Sequence, residues 1–122
     1  MKPTDLMIKD WVMVKILSQI PNTYVLHTWT ANDYSRNLQV KPIPLTTEIL
    51  EKNGWKYTTY CHEYQDGKNN IQCRLPYMVG RINGIDIEHF KCEYVHQYQH
   101  LLRLCGLDEL ANNFKVVALP QR

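Results

Sequence analysis

Two neighbouring segments of the chain, 55–64 and 71–79, place apolar or small side chains at every second position. A period of two is typical of strands that bury one face and expose the other. Between the segments, Asp66 and Gly67 favour a turn. The sequence therefore predicts an antiparallel hairpin centred on Gly67, which restricts the chain to folds that contain an antiparallel sheet.

The position of this turn also predicts the register of the hairpin. A loop centred on Gly67 pairs residues of the two strands so that both members of every pair lie on the same face of the hairpin. The predicted pairs are Trp55 with Val79, Tyr57 with Tyr77, Thr59 with Leu75, and Cys61 with Cys73. Pro76 has no N–H to donate, so we expect the second strand to be bulged or broken there. A second turn at 80–84 leads into a third strand over 85–90, which completes a meander.

Two helices are predicted around this meander. Thr46 is a favourable N-cap and Gly54 can end a helix, so a short helix is predicted over 46–53. A longer helix is predicted over 93–105 and ends at Gly106. Its apolar face, which we expect to cover the hairpin, contains Tyr94, Val95, Tyr98, Leu101, Leu102 and Cys105. Its opposite face, which we expect to be solvated, contains Glu93, His96, Gln97, His100 and Arg103.

The first 45 residues predict a small β module. A polar loop over 31–37 separates two groups of β-branched and aromatic residues. The pattern Asp-Trp-Val-x-Val that begins at Asp10 resembles the first strand of SH3-like barrels. Short strands are expected at 11–14, 23–30 and 38–40.

We therefore expect an α+β fold in one compact unit. Residues 1–45 would form the SH3-like β module. Residues 46–122 would form a linker helix and an antiparallel meander covered by one C-terminal helix. The tail 115–119 is expected to add a short edge strand.

Composition and charge narrow the function classes. The net charge is +2 and the 14 Lys and Arg residues are scattered, which is a weak electrostatic footprint for nucleic-acid binding. No apolar run approaches the ~20 residues of a membrane span. Asp5 and Asp10 would interrupt the apolar core of a signal peptide, so we expect a cytoplasmic protein. The four cysteines form no Cys-x-x-Cys pair, so we expect reduced and mostly buried thiols.

His96 and His100 are the candidates for metal chemistry. Two histidines four positions apart on a helix can share a metal ion, but Gln97 follows the first and cannot act as the base of a zinc hydrolase. Without a third ligand, we expect adventitious metal binding at most. Cys61 and His62 are neighbours on a strand and point to opposite faces, so His62 does not activate the thiol. We expect no catalytic residues and no cofactor.

The polar loop 31–37 is the predicted binding surface. It carries Tyr34 and Arg36, and it follows Trp29 closely in sequence. An aromatic ring and a guanidinium on one loop can stack on a base or contact a protein partner. The chain also contains eight Tyr, a residue that gives contact area at a small cost in side-chain entropy.

Two motifs carry a resemblance to a known group of proteins. The segment 42–55 reads PIPLTTEILEKNGW, and the segment 94–106 contains Tyr-Val-His-Gln-Tyr-Gln and then Leu-Cys-Gly. They resemble the PIPLTxEILxKNG and YVHxxQ motifs of small proteins without an assigned activity in gut Bacteroidetes and their phages and prophages. Lys9 and Tyr98 stand where that group usually has Gly and Leu. The resemblance implies a short β module, a helix, a hairpin and a second helix, encoded on a mobile element.

These observations predict a non-enzymatic interaction protein, an adaptor or an inhibitor, that binds a host or phage protein. One alternative is a phage counter-defence protein that captures a small nucleotide signal. A second alternative is a small barrel that binds nucleic acid. The sequence does not predict the oligomeric state.

Overall fold

The computed structural model describes residues 1–16 and 23–117. Within them, the strands are β1 (Trp11–Lys15), β2 (Tyr24–Thr28), β3 (Val40–Lys41), β4 (Lys56–Tyr57), β5 (His62–Gln65), β6 (Asn70–Arg74), β7 (Tyr77–Ile82) and β8 (Ile85–Lys91). The α-helices are α1 (Thr47–Lys52), α2 (Val95–Leu104) and α3 (Asp108–Asn112). Two short 3₁₀ helices occupy Pro3–Asp5 and Ala31–Ser35. The predicted α+β class is confirmed.

The described strands form two antiparallel sheets. The first has three strands in the order β2-β1-β3, and the second has five in the sequence order β4 to β8. An SH3-like barrel is not confirmed, because the N-terminal strands that the structure describes form only the three-stranded sheet. Of the predicted edge strand at 115–119, residues 115–117 have no regular structure, and the remainder lies outside the described residues.

The predicted register of the hairpin is wrong by one residue. His62, rather than Cys61, pairs with Cys73. The reason is the loop: the Asp66 carboxylate accepts hydrogen bonds from the backbone N–H groups of Lys68 and Asn69 at 3.0 and 2.8 Å. These bonds hold a four-residue loop whose centre lies between residues 67 and 68. A shift of one residue exchanges the two faces of a strand.

The two predicted long strands are also shorter than expected. A turn over 58–61 separates β4 from β5, so 55–64 is not one strand. The expected break at Pro76 is confirmed, since β6 ends at Arg74 and β7 begins at Tyr77. Trp55 is buried as predicted, but four members of the expected core face are exposed: Tyr57, Leu75, Tyr77 and Val79.

The main core lies between α2 and the inner face of the five-stranded sheet. The sheet contributes Ile71, Cys73, Met78 and Ile82, and the helix contributes Val95, Tyr98, Leu101 and Leu102. The predicted apolar face of α2 is confirmed, and Leu102 is completely buried. Helix α1 begins as predicted, because the Thr46 side chain accepts a hydrogen bond from the N–H of Ile49 at 3.2 Å.

The N-terminal segment joins this core along the same helix. Ile43 and Leu45 belong to the main core cluster, and Val95 N–H donates to the Ile43 carbonyl at 2.8 Å. A smaller cluster of Leu6, Val12, Val14 and Trp29 lies under the three-stranded sheet. Helix α2 therefore contacts the five-stranded sheet on one side and the beginning of β1 on the other.

Candidate functional site

The side chains of the predicted binding loop pack on, or form hydrogen bonds with, other residues of the protein. Trp29 is completely buried, so its ring packs inside the N-terminal cluster. The ring of Tyr34 meets that of Trp29 edge-on at 5.7 Å, and its hydroxyl donates to the Leu6 carbonyl at 2.5 Å. Arg36 donates to the Asp33 carboxylate at 3.3 Å. Tyr34 and Arg36 remain partly exposed, and their binding role stays a prediction.

A buried carboxylate holds this loop in place. Burial alone would raise the pKa of Asp33, but hydrogen bonds from His27 and Thr30 lower it to about 2. The His27 Nε2 lies 2.7 Å from the carboxylate, and the Thr30 N–H and hydroxyl donate at 2.8 and 2.9 Å. The loop is therefore an ordered 3₁₀ helix whose polar groups satisfy one another.

The polar face of α2, which the sequence predicts to be solvated, is largely covered. The completely buried Asp10 carboxylate accepts hydrogen bonds from His100 and Arg103, each at 2.5 Å, and from the Met7 N–H at 2.8 Å. The prediction of a solvated face is wrong because the N-terminal segment, 90 or more positions away in sequence, packs on it. The cluster anchors that segment to the helix.

The His96 side chain lies beside this cluster and makes no hydrogen bond within the described residues. Its side chain is buried, its Nδ1 has no partner, and its ring stacks on Tyr94 at 6.0 Å. Burial and the neighbouring His100 lower the pKa of His96. Gln97 instead caps the helix, since its side-chain oxygen accepts from the N–H groups of Glu93 and Tyr94. Residues 1–16 and 23–117 contain no group of three or more His, Cys, Asp or Glu arranged to hold a metal ion.

The buried cysteines are not activated as nucleophiles. Burial raises the pKa of the Cys73 and Cys92 thiols to about 12, so both stay protonated at neutral pH. His62 is engaged with Glu51, whose carboxylate lies 2.7 Å from its Nε2. The predicted separation of His62 from Cys61 is consistent with this contact.

A groove on the outer face of the five-stranded sheet is the best candidate for a binding surface. It has a volume of about 330 Å³ and is lined by Cys61, Gln72, Cys73, Arg74, Tyr77, Val79 and His89, and we call it the outer groove. Tyr77 is 46% exposed, and its ring meets that of His89 edge-on at 6.3 Å. Arg74 is exposed and has no ion pair within the described part of the chain. The groove therefore combines apolar surface with an unpaired positive charge.

Sequence reasoning missed the outer groove because it assigned Tyr77 and Val79 to the core. The turn at Leu75–Pro76 changes the phase of the alternation, so the buried residues of the next strand are Met78 and Ile82. The signal that could have found the groove was Pro76 itself, taken as the boundary between two strands.

Comparisons with known proteins give no relative for this chain. Searches of protein-family models, of curated proteins and of solved structures found no match. The function is therefore inferred from the surface of the protein itself.

None of the helices within residues 1–16 and 23–117 is long and apolar enough to cross a membrane.

Proposed function

We propose that the protein is a non-enzymatic binding protein that recognises another protein through the outer groove. The observation that carries this proposal is the unpaired, exposed Arg74 beside the exposed side chains of Tyr77 and Val79. Tyr and Arg dominate the binding energy of many protein interfaces, because they combine contact area with directed hydrogen bonds. Unlike Tyr34 and Arg36, the Tyr77 and Arg74 side chains make no hydrogen bond within the described residues.

The groove favours a partner of defined chemistry. An apolar side chain of the partner can pack on Tyr77 and Val79, and a carboxylate beside it can form a bidentate ion pair with the Arg74 guanidinium. The expected ligand is thus an acidic protein segment with an apolar anchor. A single unpaired guanidinium gives little attraction for the long, regular charge of a nucleic acid, which needs several phosphate contacts.

The charges around the groove support specific binding over general adhesion. Arg81 pairs with Asp86 at 3.1 Å and Lys91 pairs with Glu93 at 2.7 Å, so these neighbouring charges are compensated. Arg74 is then an uncompensated charge at the groove that a partner can neutralise. Polar residues with satisfied charges around an apolar centre are typical of a protein interface.

The sequence resemblance gives this proposal its biological setting. A protein similar to those of Bacteroidetes phages and prophages would act in the bacterial cytoplasm, as an adaptor or an inhibitor of a host or phage protein. Near-neutral net charge is consistent with a protein partner.

The test compares two matched pairs of substitutions. The partner is identified by cross-linking from a photoreactive residue placed at the exposed position 75, beside the groove, and its affinity is then measured with both purified proteins by calorimetry. We expect Tyr77→Ala with Arg74→Glu to weaken binding at least about tenfold, since hot-spot residues are removed. Tyr34→Ala with Arg36→Glu makes the same change on the loop of Ala31–Ser35, where Tyr34 is 44% exposed. Circular dichroism confirms that both variants fold.

The outcomes distinguish the two surfaces. Loss of affinity in the groove variant alone supports the outer groove. Unchanged affinity in the groove variant overturns it, and loss in the loop variant alone assigns binding to Tyr34 and Arg36 instead.

A further inference from the structure

A second cavity shares no lining residue with the outer groove. Its volume is about 240 Å³. Four aromatic side chains and two lysines are among the residues that line it, and we call it the aromatic cavity: Trp55, Tyr64, Tyr98, Phe114, Lys52 and Lys115. It lies where the end of α1, the end of α3 and the chain after α3 meet.

The aromatic rings of the cavity hold one another in place. Trp55 meets Tyr98 at 5.9 Å with an angle of 71° between the rings, and Tyr98 meets Phe114 at 5.4 Å and 68°. Tyr64 lies 5.9 Å from Trp55 on the other side. Trp55, Tyr98 and Phe114 are buried, so the wall they form is fixed before any ligand binds. A flat ring entering the cavity can make edge-to-face contacts with such a wall.

The lysines give the aromatic cavity its charge. Lys52 and Lys115 are exposed, and neither has an ion pair within residues 1–16 and 23–117. Asn53 fixes the backbone beside the cavity: its side chain accepts from the Lys115 N–H at 2.7 Å and donates to the Lys115 carbonyl at 2.9 Å. The same amide donates to the Ile49 carbonyl at 2.8 Å. Two uncompensated positive charges are thus held at one cavity, which favours an anion over a cation.

We propose that the aromatic cavity binds a small, flat aromatic anion. The volume suits one ring or two fused rings, because a cavity of roughly 150 Å³ already admits benzene. The anionic group would lie towards Lys52 and Lys115, with the ring against Trp55 and Phe114. Aromatic carboxylates and nucleoside monophosphates both have this chemistry. The inference concerns a different surface from the outer groove and does not depend on the proposed protein partner.

The probes for this proposal differ in ring and charge. Indole-3-acetate and adenosine monophosphate carry both features, indole lacks the charge, and inorganic phosphate lacks the ring. Binding to the full chain is followed by calorimetry and by the NMR resonance of the Trp55 indole N–H. We expect saturable binding of at least one aromatic anion with a Kd below about 1 mM. Indole should bind at least about tenfold more weakly. The anion that binds identifies which of the two sources the cavity accepts.

A matched pair of lysine substitutions tests the role of the charge. Lys52→Gln with Lys115→Gln should weaken binding of the aromatic anion about tenfold, with little effect on indole, because solvent-screened charge pairs each contribute modestly to affinity. Lys56→Gln with Lys68→Gln removes the same charge from exposed positions outside the cavity and should leave the affinity unchanged. All four lysines are exposed, so both variants should fold.

Several results would overturn the proposal. The cavity would not select aromatic anions if neither aromatic anion bound saturably. The same conclusion would follow if inorganic phosphate bound equally well, or if the two lysine pairs had equal effects. A shift of the Trp11 or Trp29 indole resonance in place of Trp55 would place binding elsewhere.

Discussion

The Arg103 guanidinium donates to the Asp10 carboxylate across 2.5 Å, although the two residues stand 93 positions apart in the chain. Asp10 is completely buried, and the Arg103 side chain is 13% exposed. His100 and the Met7 N–H complete the set of donors. A buried carboxylate is tolerated only where charge and hydrogen bonds compensate for lost hydration. This contact therefore determines where the N-terminal segment meets α2.

The first prediction concerns the charge of Asp10. Asp10→Asn keeps the size of the side chain but leaves Arg103 without its buried counter-charge, and we expect the free energy of unfolding to fall by about 3 kcal/mol. Urea unfolding followed by tryptophan fluorescence measures the change. Asp86→Asn is the control, because Asp86 makes its ion pair with Arg81 at the surface and such pairs contribute little. Equal losses in the two variants would contradict an anchoring role for Asp10.

The second prediction concerns the amide of Gln99. This completely buried side chain accepts from the Trp11 N–H at 2.9 Å and donates to the carbonyls of Lys9 and Ala111 at 3.0 and 2.9 Å. Gln99→Ala leaves one N–H and two C=O groups without partners, which should lower the free energy of unfolding by about 2–4 kcal/mol. Gln65→Ala, at an exposed position, is the matched control. A loss below about 1 kcal/mol for Gln99→Ala would show that water replaces the amide.

Gln99 and its neighbours also show why the polar side of α2 could not be predicted. Helical periodicity distinguishes apolar from polar positions, and polar positions are usually solvated. Here the apolar face of α2 packs on the five-stranded sheet while Gln99, His100 and Arg103 bond to the N-terminal segment. Burial of a polar face depends on a partner distant in sequence, and no local pattern reveals that partner.

The start of α1 and the ends of the helices were predicted correctly, because a single residue determines the backbone geometry at each of these points. Thr46 caps α1, and Gly54 and Gly106, with φ of +89° and +82°, follow the helices at the predicted ends. The hairpin register required more than such signals. Asp66 places the centre of the loop half a residue beyond Gly67, which puts His62 rather than Cys61 beside Cys73. The exposure of Tyr77 and Val79, which form part of the outer groove, follows instead from the break at Pro76.

The third prediction concerns the apolar face of α2, which the sequence did identify. Leu102 is completely buried in the main core, so Leu102→Ala should lower the free energy of unfolding by about 2–5 kcal/mol. Leu104→Ala makes the same change on the same helix at a side chain that is 72% exposed, and it should have little effect. Chemical unfolding of the two variants provides the comparison. Similar midpoints would mean that α2 does not cover the sheet as described.

The last prediction concerns pH and follows from the environment of His96. Burial and the charge of His100 lower the pKa of His96, while Asp10 and Asp5 oppose the shift only in part. The unfolded chain, with a histidine pKa of about 6.5, then binds a proton more readily than the folded protein does. Because stability rises with pH wherever the unfolded state binds more protons, the contribution of His96 is present above pH ~6.5 and is lost progressively as the pH falls below that value.

Replacing His96 with an uncharged ring isolates this effect. His96→Phe can still stack on Tyr94 but cannot bind a proton, so its urea midpoint should decrease less than that of the wild type between about pH 7.5 and 5.5. The histidines paired with Asp33 and Glu51 are the same in both proteins and cancel in the comparison. His89→Asn, at an exposed position, should retain the wild-type pH dependence. If His96→Phe lost stability as steeply as the wild type on acidification, His96 would have to be charged, or free to become charged, in the folded protein.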